Sequence, residues 1–217
     1  MKNLIFILFA IILIFACSPK IVEENTTPIG DWRHHGGNHS SDKYTPLDQI
    51  EGNNFSKLEV AWRYPSPDLN LPEELAYPTG DYRAVPLVVN GVMYVNSNHG
   101  LISALDPKTG EELWVFDPKS YELGPPLFSP LQTRGIEYWT DGEIERIFIA
   151  TSGKQLVSVD IKTGQPDPNF GNNGYVDLKQ NFGRLEFEMN NITHGAPPIA
   201  VGSTVIVGSK IYDFSMI

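Results

Sequence analysis

The side chains of this 217-residue chain with the most pointed chemistry are five histidines and one cysteine, joined by a few well-placed polar groups. His34, His35 and His39 crowd one short stretch, as metal ligands do. Yet they lie in a Gly/Asn/Ser loop with no companion carboxylate at ligand spacing, so they read as solvated loop histidines. His99 stands in Asn96-Ser97-Asn98-His99-Gly100, a turn sequence in which a histidine is ordinarily a solvated polar residue. Arg134, in Thr133-Arg134-Gly135, offers a planar fork that grips a carboxylate through two hydrogen bonds. Its plain alternative is a surface arginine capping a loop. Thr151 follows the apolar run 147–150 and brings a hydroxyl donor to a strand end. Ser209 and Asp213 stand near the end of the sequence, and a carboxylate suits a hard cation that wants oxygen ligands. His194, in Thr193-His194-Gly195-Ala196, receives no role.

The elements that must position these groups are strands. Residues 101–118 hold two short β-prone runs, 101–105 and 113–116, around Asp106-Pro107-Lys108-Thr109-Gly110. Asp106 can bond its own backbone two residues on, Pro107 presets φ, and Gly110 accepts the left-handed conformation, so the stretch predicts a tight antiparallel hairpin. Trp114 is large enough to wedge between neighbouring sheets. The pattern recurs 54 residues later as Val157-Ser158-Val159-Asp160-Ile161-Lys162-Thr163-Gly164, with 146–150 matching 92–96 at the same offset. A third copy, 198–201 and 205–209, follows the stretch from residue 86 by 112, close to twice that offset. The second hairpin lacks its tryptophan: the equivalent position is Pro168, with Phe170 nearby. Strands throughout, at a repeat of roughly one four-stranded sheet, predict an all-β fold, a β-propeller with four-stranded antiparallel blades.

Composition agrees. The chain is 41% hydrophobic and 19% charged, enough for an ordinary core, and its 19 glycines and 17 prolines suit many short strands joined by turns. A net charge of −10 without a basic stripe argues against nucleic acid, whose phosphates need clustered Lys and Arg. At the N-terminus, Lys2 precedes an apolar run, residues 4–16, too short to span a bilayer, which takes about 20 residues. Residues 1–17 therefore read as a signal peptide. Ile14-Phe15-Ala16-Cys17 resembles a bacterial lipobox, which implies lipidation at Cys17 and an extracytoplasmic, membrane-anchored or periplasmic location. The alternative is a plain secretory signal with an incidental cysteine. No second cysteine exists for an intrachain disulfide. Residues 18–29 read as a tether, and 30–217 as the propeller portion.

Three stretches open this portion: Asp31-Trp32 through Gly36-Gly37-Asn38, then Tyr44-Thr45-Pro46-Leu47-Asp48-Gln49-Ile50, then an alternating run at 58–64 predicted as a strand. Together with Ala104-Leu105-Asp106-Pro107-Lys108-Thr109-Gly110 and its Trp114, they resemble the pyrroloquinoline quinone (PQQ) dependent glucose and alcohol dehydrogenases. Thr133-Arg134-Gly135-Ile136-Glu137-Tyr138-Trp139 and the Asp167–Gly174 stretch look like further family segments. The similarity covers roughly residues 30 to 210, interrupted by a Pro-rich insertion at 65–83.

The resemblance implies an enzyme that oxidises a sugar or alcohol with PQQ and Ca2+ and passes electrons to a respiratory quinone or cytochrome acceptor. It implies that Arg134, Thr151 and Ser209 reach the cofactor, that His99 falls where glucose-type members carry an active-site histidine, and that Asp213 is a calcium ligand. Alcohol-type members have a vicinal cysteine pair in this region, and Asn96 and Ser97 stand there instead, which favours the glucose type. It further implies two and a half blades of an expected eight. The general-base aspartate and most calcium ligands would then lie beyond residue 217, the run at 58–64 would belong to the outside of the final blade, and the 217 residues alone would be poorly soluble and inactive. The competing expectation is a non-catalytic propeller lipoprotein, a scaffold for outer-membrane assembly, which shares the anchor and the repeats but not the opening segments.

Overall fold

The structure, a computed structural model, describes residues 28–124, 131, 133–180 and 192–211. Cys17, the signal segment, Gln132 and Asp213 lie outside the described residues.

Two four-stranded antiparallel sheets dominate, each ordered as the chain runs. The first contains β1 (Leu87–Val89), β2 (Val92–Asn96), β3 (Ile102–Leu105) and β4 (Glu112–Phe116). The second contains β5 (Glu137–Thr140), β6 (Glu145–Ala150), β7 (Gln155–Asp160) and β8 (Tyr175–Asp177). Two short pairs follow: β10 (Ile199–Val201) with β11 (Thr204–Ile206), and β9 (Ile192–Thr193) with β12 (Lys210–Ile211).

The predicted turn forms twice with the same bonds. Asp106 Oδ1 accepts the N–H groups of Lys108 and Thr109 at 2.7 and 3.2 Å, and Gly110 closes the turn at φ +73°. In the second sheet, Asp160 Oδ1 accepts from Lys162 and Thr163, each at 2.9 Å, and Gly164 has φ +67°. The hairpin then fails to repeat. Pro166 and Pro168 follow the second turn, and proline cannot donate to a ladder. The chain loops out, and β8 returns only at Tyr175, pairing with Gln155–Val157 of β7.

Period-2 alternation explains the packing between sheets. Ile147 and Ile149 of β6 and Val157 and Val159 of β7 point into a core shared with Leu87, Tyr94, Ile102 and Ala104 of the first sheet. Phe148 and Leu156, between them in sequence, face the other way and meet Ala200, Val205 and Val207. The second sheet is thus buried on both faces, which is why its strands read as nearly continuous apolar runs. Each such fully buried aliphatic side chain contributes about 1.5–3 kcal/mol.

Trp114 wedges as its size suggests. Its Nε1 donates to Ile161 O at 3.3 Å, and a Cβ built on Gly164 would lie 2.6 Å from its ring. Trp62 repeats the arrangement one sheet earlier: its Nε1 donates to Pro107 O at 3.1 Å, and its ring covers Gly110. The expected strand at 58–64 does not form. The segment pairs with no strand among the described residues and is held by its aromatic side chains, Tyr64 donating to Glu112 Oε2 at 2.6 Å. A strand exists only where a neighbour completes its ladder. In the third copy, the predicted 205–209 run shortens to Thr204–Ile206, after which β12 pairs with β9 instead.

Candidate functional site

Antiparallel order sends the turns at 90–91, 106–111 and 141–144 to one end of the sheets and gathers a second set of connections at the other. Those connections are 97–101 after β2, 133–136 before β5, 151–154 after β6, and the segments flanking the β10–β11 pair. They are stitched across sheets. Thr133 Oγ1 donates to Asn98 O at 3.1 Å, and the Arg134 N–H donates to Gly195 O at 2.9 Å. Asn98 Nδ2 donates to Gly80 O at 3.2 Å, tying in the Pro-rich insertion.

Thr151 and Ser97 perform the same local task, one repeat apart. In each loop the residue's N–H donates to a carbonyl four residues on, at 2.8 Å, and its hydroxyl oxygen accepts from that residue's N–H. Thr151 is fully buried, with no surface open to a ligand. Ser209 is exposed beyond β11, and the Arg134 side chain is exposed while its backbone is fixed. Arg134, His99 and Ser209 share this loop end.

His99 is buried, not solvated as a turn histidine would ordinarily be. Its ring lies edge-on to Tyr121, and its Nδ1 is 3.0 Å from Asp68 Oδ2, off the line of a well-aligned hydrogen bond. The His99 N–H also reaches Asp68 Oδ2, at 3.4 Å. Burial pushes the Asp68 carboxyl upward, but hydrogen bonds from His99 and Ser97 and the charge of His99 outweigh it and hold the group below its usual range. Asp68 comes from the insertion, 31 residues before its partner, and no sequence pattern linked the two. His194, left without a role, is buried as well, its Nδ1 3.2 Å from Gly208 O. Desolvation lowers its pKa.

Five buried side-chain atoms at this end have no partner among the described residues: Asp68 Oδ1, Asn96 Oδ1, Asn98 Oδ1, His99 Nε2 and His194 Nε2. Buried polar atoms are normally satisfied, so this concentration makes the loop end the candidate site.

Two of the three loop histidines, His34 and His39, have partners, while His35 is exposed. Glu137, on β5, places Oε1 3.0 Å from His34 Nδ1, and His39 stacks on His34 with ring centroids 3.9 Å apart. The carboxylate missing from the local sequence arrives from 103 residues away.

The family model for the PQQ-dependent "Glucose/ethanol/alcohol dehydrogenase, beta-propeller domain" matches residues 32–216. The chain belongs to this family. The dehydrogenase subunit of alcohol dehydrogenase (quinone) from Gluconobacter oxydans is 33% identical over 186 residues, 85% of this chain and 22% of that protein. Quinoprotein glucose dehydrogenase from the same organism is 29% identical over 205 residues, 88% of this chain and 25% of that one. Among solved structures, the quinohemoprotein alcohol dehydrogenase of Comamonas testosteroni superposes with a TM-score of 0.66 at 22% identity, over 90% of this chain and 25% of that one, and shares the fold. The chain therefore spans about a quarter of the length of its relatives, and these include both alcohol and glucose types.

Proposed function

We propose that this chain supplies opening blades of a PQQ-dependent, calcium-assisted dehydrogenase that oxidises a sugar or alcohol and delivers electrons to a quinone or cytochrome acceptor. The observation that carries the reading is the family match over residues 32–216. Relatives named for both acceptor types, alcohol dehydrogenase (quinone) and 1-butanol dehydrogenase (cytochrome c), support the acceptor classes.

The residues present suit such a ligand. PQQ is a flat tricarboxylate, and the loop end offers an exposed guanidinium at Arg134 beside a concentration of unpaired buried polar atoms. Arg134 would hold a carboxylate bidentately, projecting from a backbone pinned to Gly195. Ser209 would add a hydroxyl from the segment after β11. The bound quinone supplies the electron-accepting chemistry, which no side chain provides. Asp68, kept ionised at neutral pH by its lowered pKa, orients the His99 ring. Thr151 and Ser97 shape the two equivalent loops from which these groups project.

Lipidation at Cys17 would hold the protein on the outer face of a membrane. The assembly-scaffold alternative is not favoured, because the family that matches is the dehydrogenase family.

The test is a PQQ titration in calcium buffer of the longest reading frame that encodes this chain, followed by dye reduction with glucose and with ethanol. Arg134→Ala should weaken PQQ affinity by about 1.5–3 kcal/mol, the scale of a hydrogen bond to a charged group. Unaltered affinity would remove Arg134 from the site, and an intact protein that neither binds PQQ nor reduces dye would overturn the function.

A further inference from the structure

At the start of β5, three residues beyond Arg134, two imidazoles and a carboxylate converge on one point. His34 Nδ1 and Glu137 Oε1 lie 3.0 Å apart, and one ligand atom from each of His34, His39 and Glu137 falls within 4.8 Å of the other two. A tetrahedral zinc ion with bonds of about 2.0–2.1 Å sets its ligands roughly 3.3 Å apart, so small side-chain adjustments bring these three onto such an ion.

The fold assembles this cluster from opposite parts of the chain. Trp32 forms an antiparallel bridge with Val88 on the free edge of β1, which lays the following residues toward β5. Arg33 then stacks over the Tyr138 ring, 5.4 Å from its centroid, and His34 drops onto Glu137. A turn closed by the Gly37 N–H on His34 O, at 2.8 Å, folds the loop back and sets the His39 ring against His34.

Glu137 carries the argument further. It is 3% exposed, on an edge strand between the core residues Ile136 and Tyr138. Its Oε1 accepts the Ala200 N–H at 3.2 Å and faces His34, and no Lys or Arg among the described residues pairs with it. A carboxylate removed from water needs a compensating charge. Here two imidazoles stand where that charge would be, with the outer one, His39, open to solvent.

The geometry points to a binding site for a late first-row divalent metal ion, of the zinc class, formed by His34, His39 and Glu137. Two nitrogen donors and one oxygen suit zinc, copper or nickel, whereas calcium prefers oxygen alone. The ion would join the N-terminal segment to β5 and, through the Ala200 N–H on Glu137, to the third sheet. That makes it a staple between three parts of the fold.

The experiment is calorimetric titration of the metal-stripped protein, expressed from the longest reading frame that encodes this chain and free of any polyhistidine tag, with ZnCl2 in millimolar CaCl2. One equivalent of zinc should bind despite the calcium. Since losing an outer-shell partner alone costs about 10–100-fold in metal affinity, loss of a ligand in His39→Ala or Glu137→Gln should weaken binding by about 100-fold or more. His35→Ala, which removes a neighbouring exposed histidine outside the cluster, should bind as tightly as the unaltered chain. His39 is exposed, so His39→Ala keeps the test valid if Glu137→Gln does not fold. Co2+ in place of zinc should give visible absorption bands that His39→Ala abolishes. No binding by the unaltered chain, displacement of zinc by calcium, or equal affinity in His39→Ala and His35→Ala would each overturn the site.

Discussion

Gly164→Ala tests whether tryptophan docking joins the sheets. Gly164 sits at φ +67°, where an L side chain costs about 1–2 kcal/mol in backbone strain. A Cβ there would also lie 2.6 Å from the Trp114 ring, and the ring has its Nε1 bonded to Ile161 O. Overpacking of this kind adds about 1–3 kcal/mol, so the total should be roughly 2–5 kcal/mol. Gly91 is the internal control: it has φ +79° but nothing within 4 Å of its would-be Cβ, so Gly91→Ala should show the strain alone. Repeating Gly164→Ala in a Trp114→Ala background should likewise leave only strain, giving a coupling of about 1–3 kcal/mol. Urea denaturation followed by tryptophan fluorescence and far-UV circular dichroism measures all four variants. Equal costs for Gly164→Ala and Gly91→Ala, or a coupling near zero, would refute the docking argument.

Gly110→Ala, which meets Trp62 at the same 2.6 Å, should be destabilising on the same scale as Gly164→Ala, read by the same denaturation. The lowered pKa of His194 makes a pH prediction. The unfolded chain binds the proton more readily than the fold does, so stability should fall as pH drops below about 6.5, the unfolded value, toward the folded one. His194→Gln, which keeps an N–H for Gly208 O, should flatten that part of the stability curve; an unchanged slope between pH 7.5 and 5 would exclude the assignment. Finally, Cys17→Ser should abolish incorporation of radiolabelled palmitate in cells, and unchanged labelling would rule out the lipid anchor.

The sequence by itself determined what is local and periodic. Asp106 and Asp160 each carry a side chain that caps their own turn, and Gly110 and Gly164 tolerate the left-handed φ, so both turns were legible from five residues. Alternation in 146–150 and 156–159 fixed which side chains face each neighbouring sheet, because strand side chains point to opposite faces whatever the partner. Pairing is another matter. The run at 58–64 has strand chemistry but no partner among the described residues to complete a ladder, and in the second hairpin two prolines delay the return strand to Tyr175. The site residues divide along the same line. Arg134 and Ser209 were singled out from motif and position, and their exposure is in keeping with that. The burial of His99 was not legible, since its covering group, Asp68, comes from an insertion that matches no motif. The histidine trio looked solvated for a similar reason. Its carboxylate belongs to a strand 103 residues away, and only the path from Trp32 on the edge of β1 to Glu137 on the edge of β5 makes them neighbours. Turns and faces follow from a residue's own backbone geometry; contacts across sheets depend on where the other strands come to rest, and the tertiary structure alone decided those.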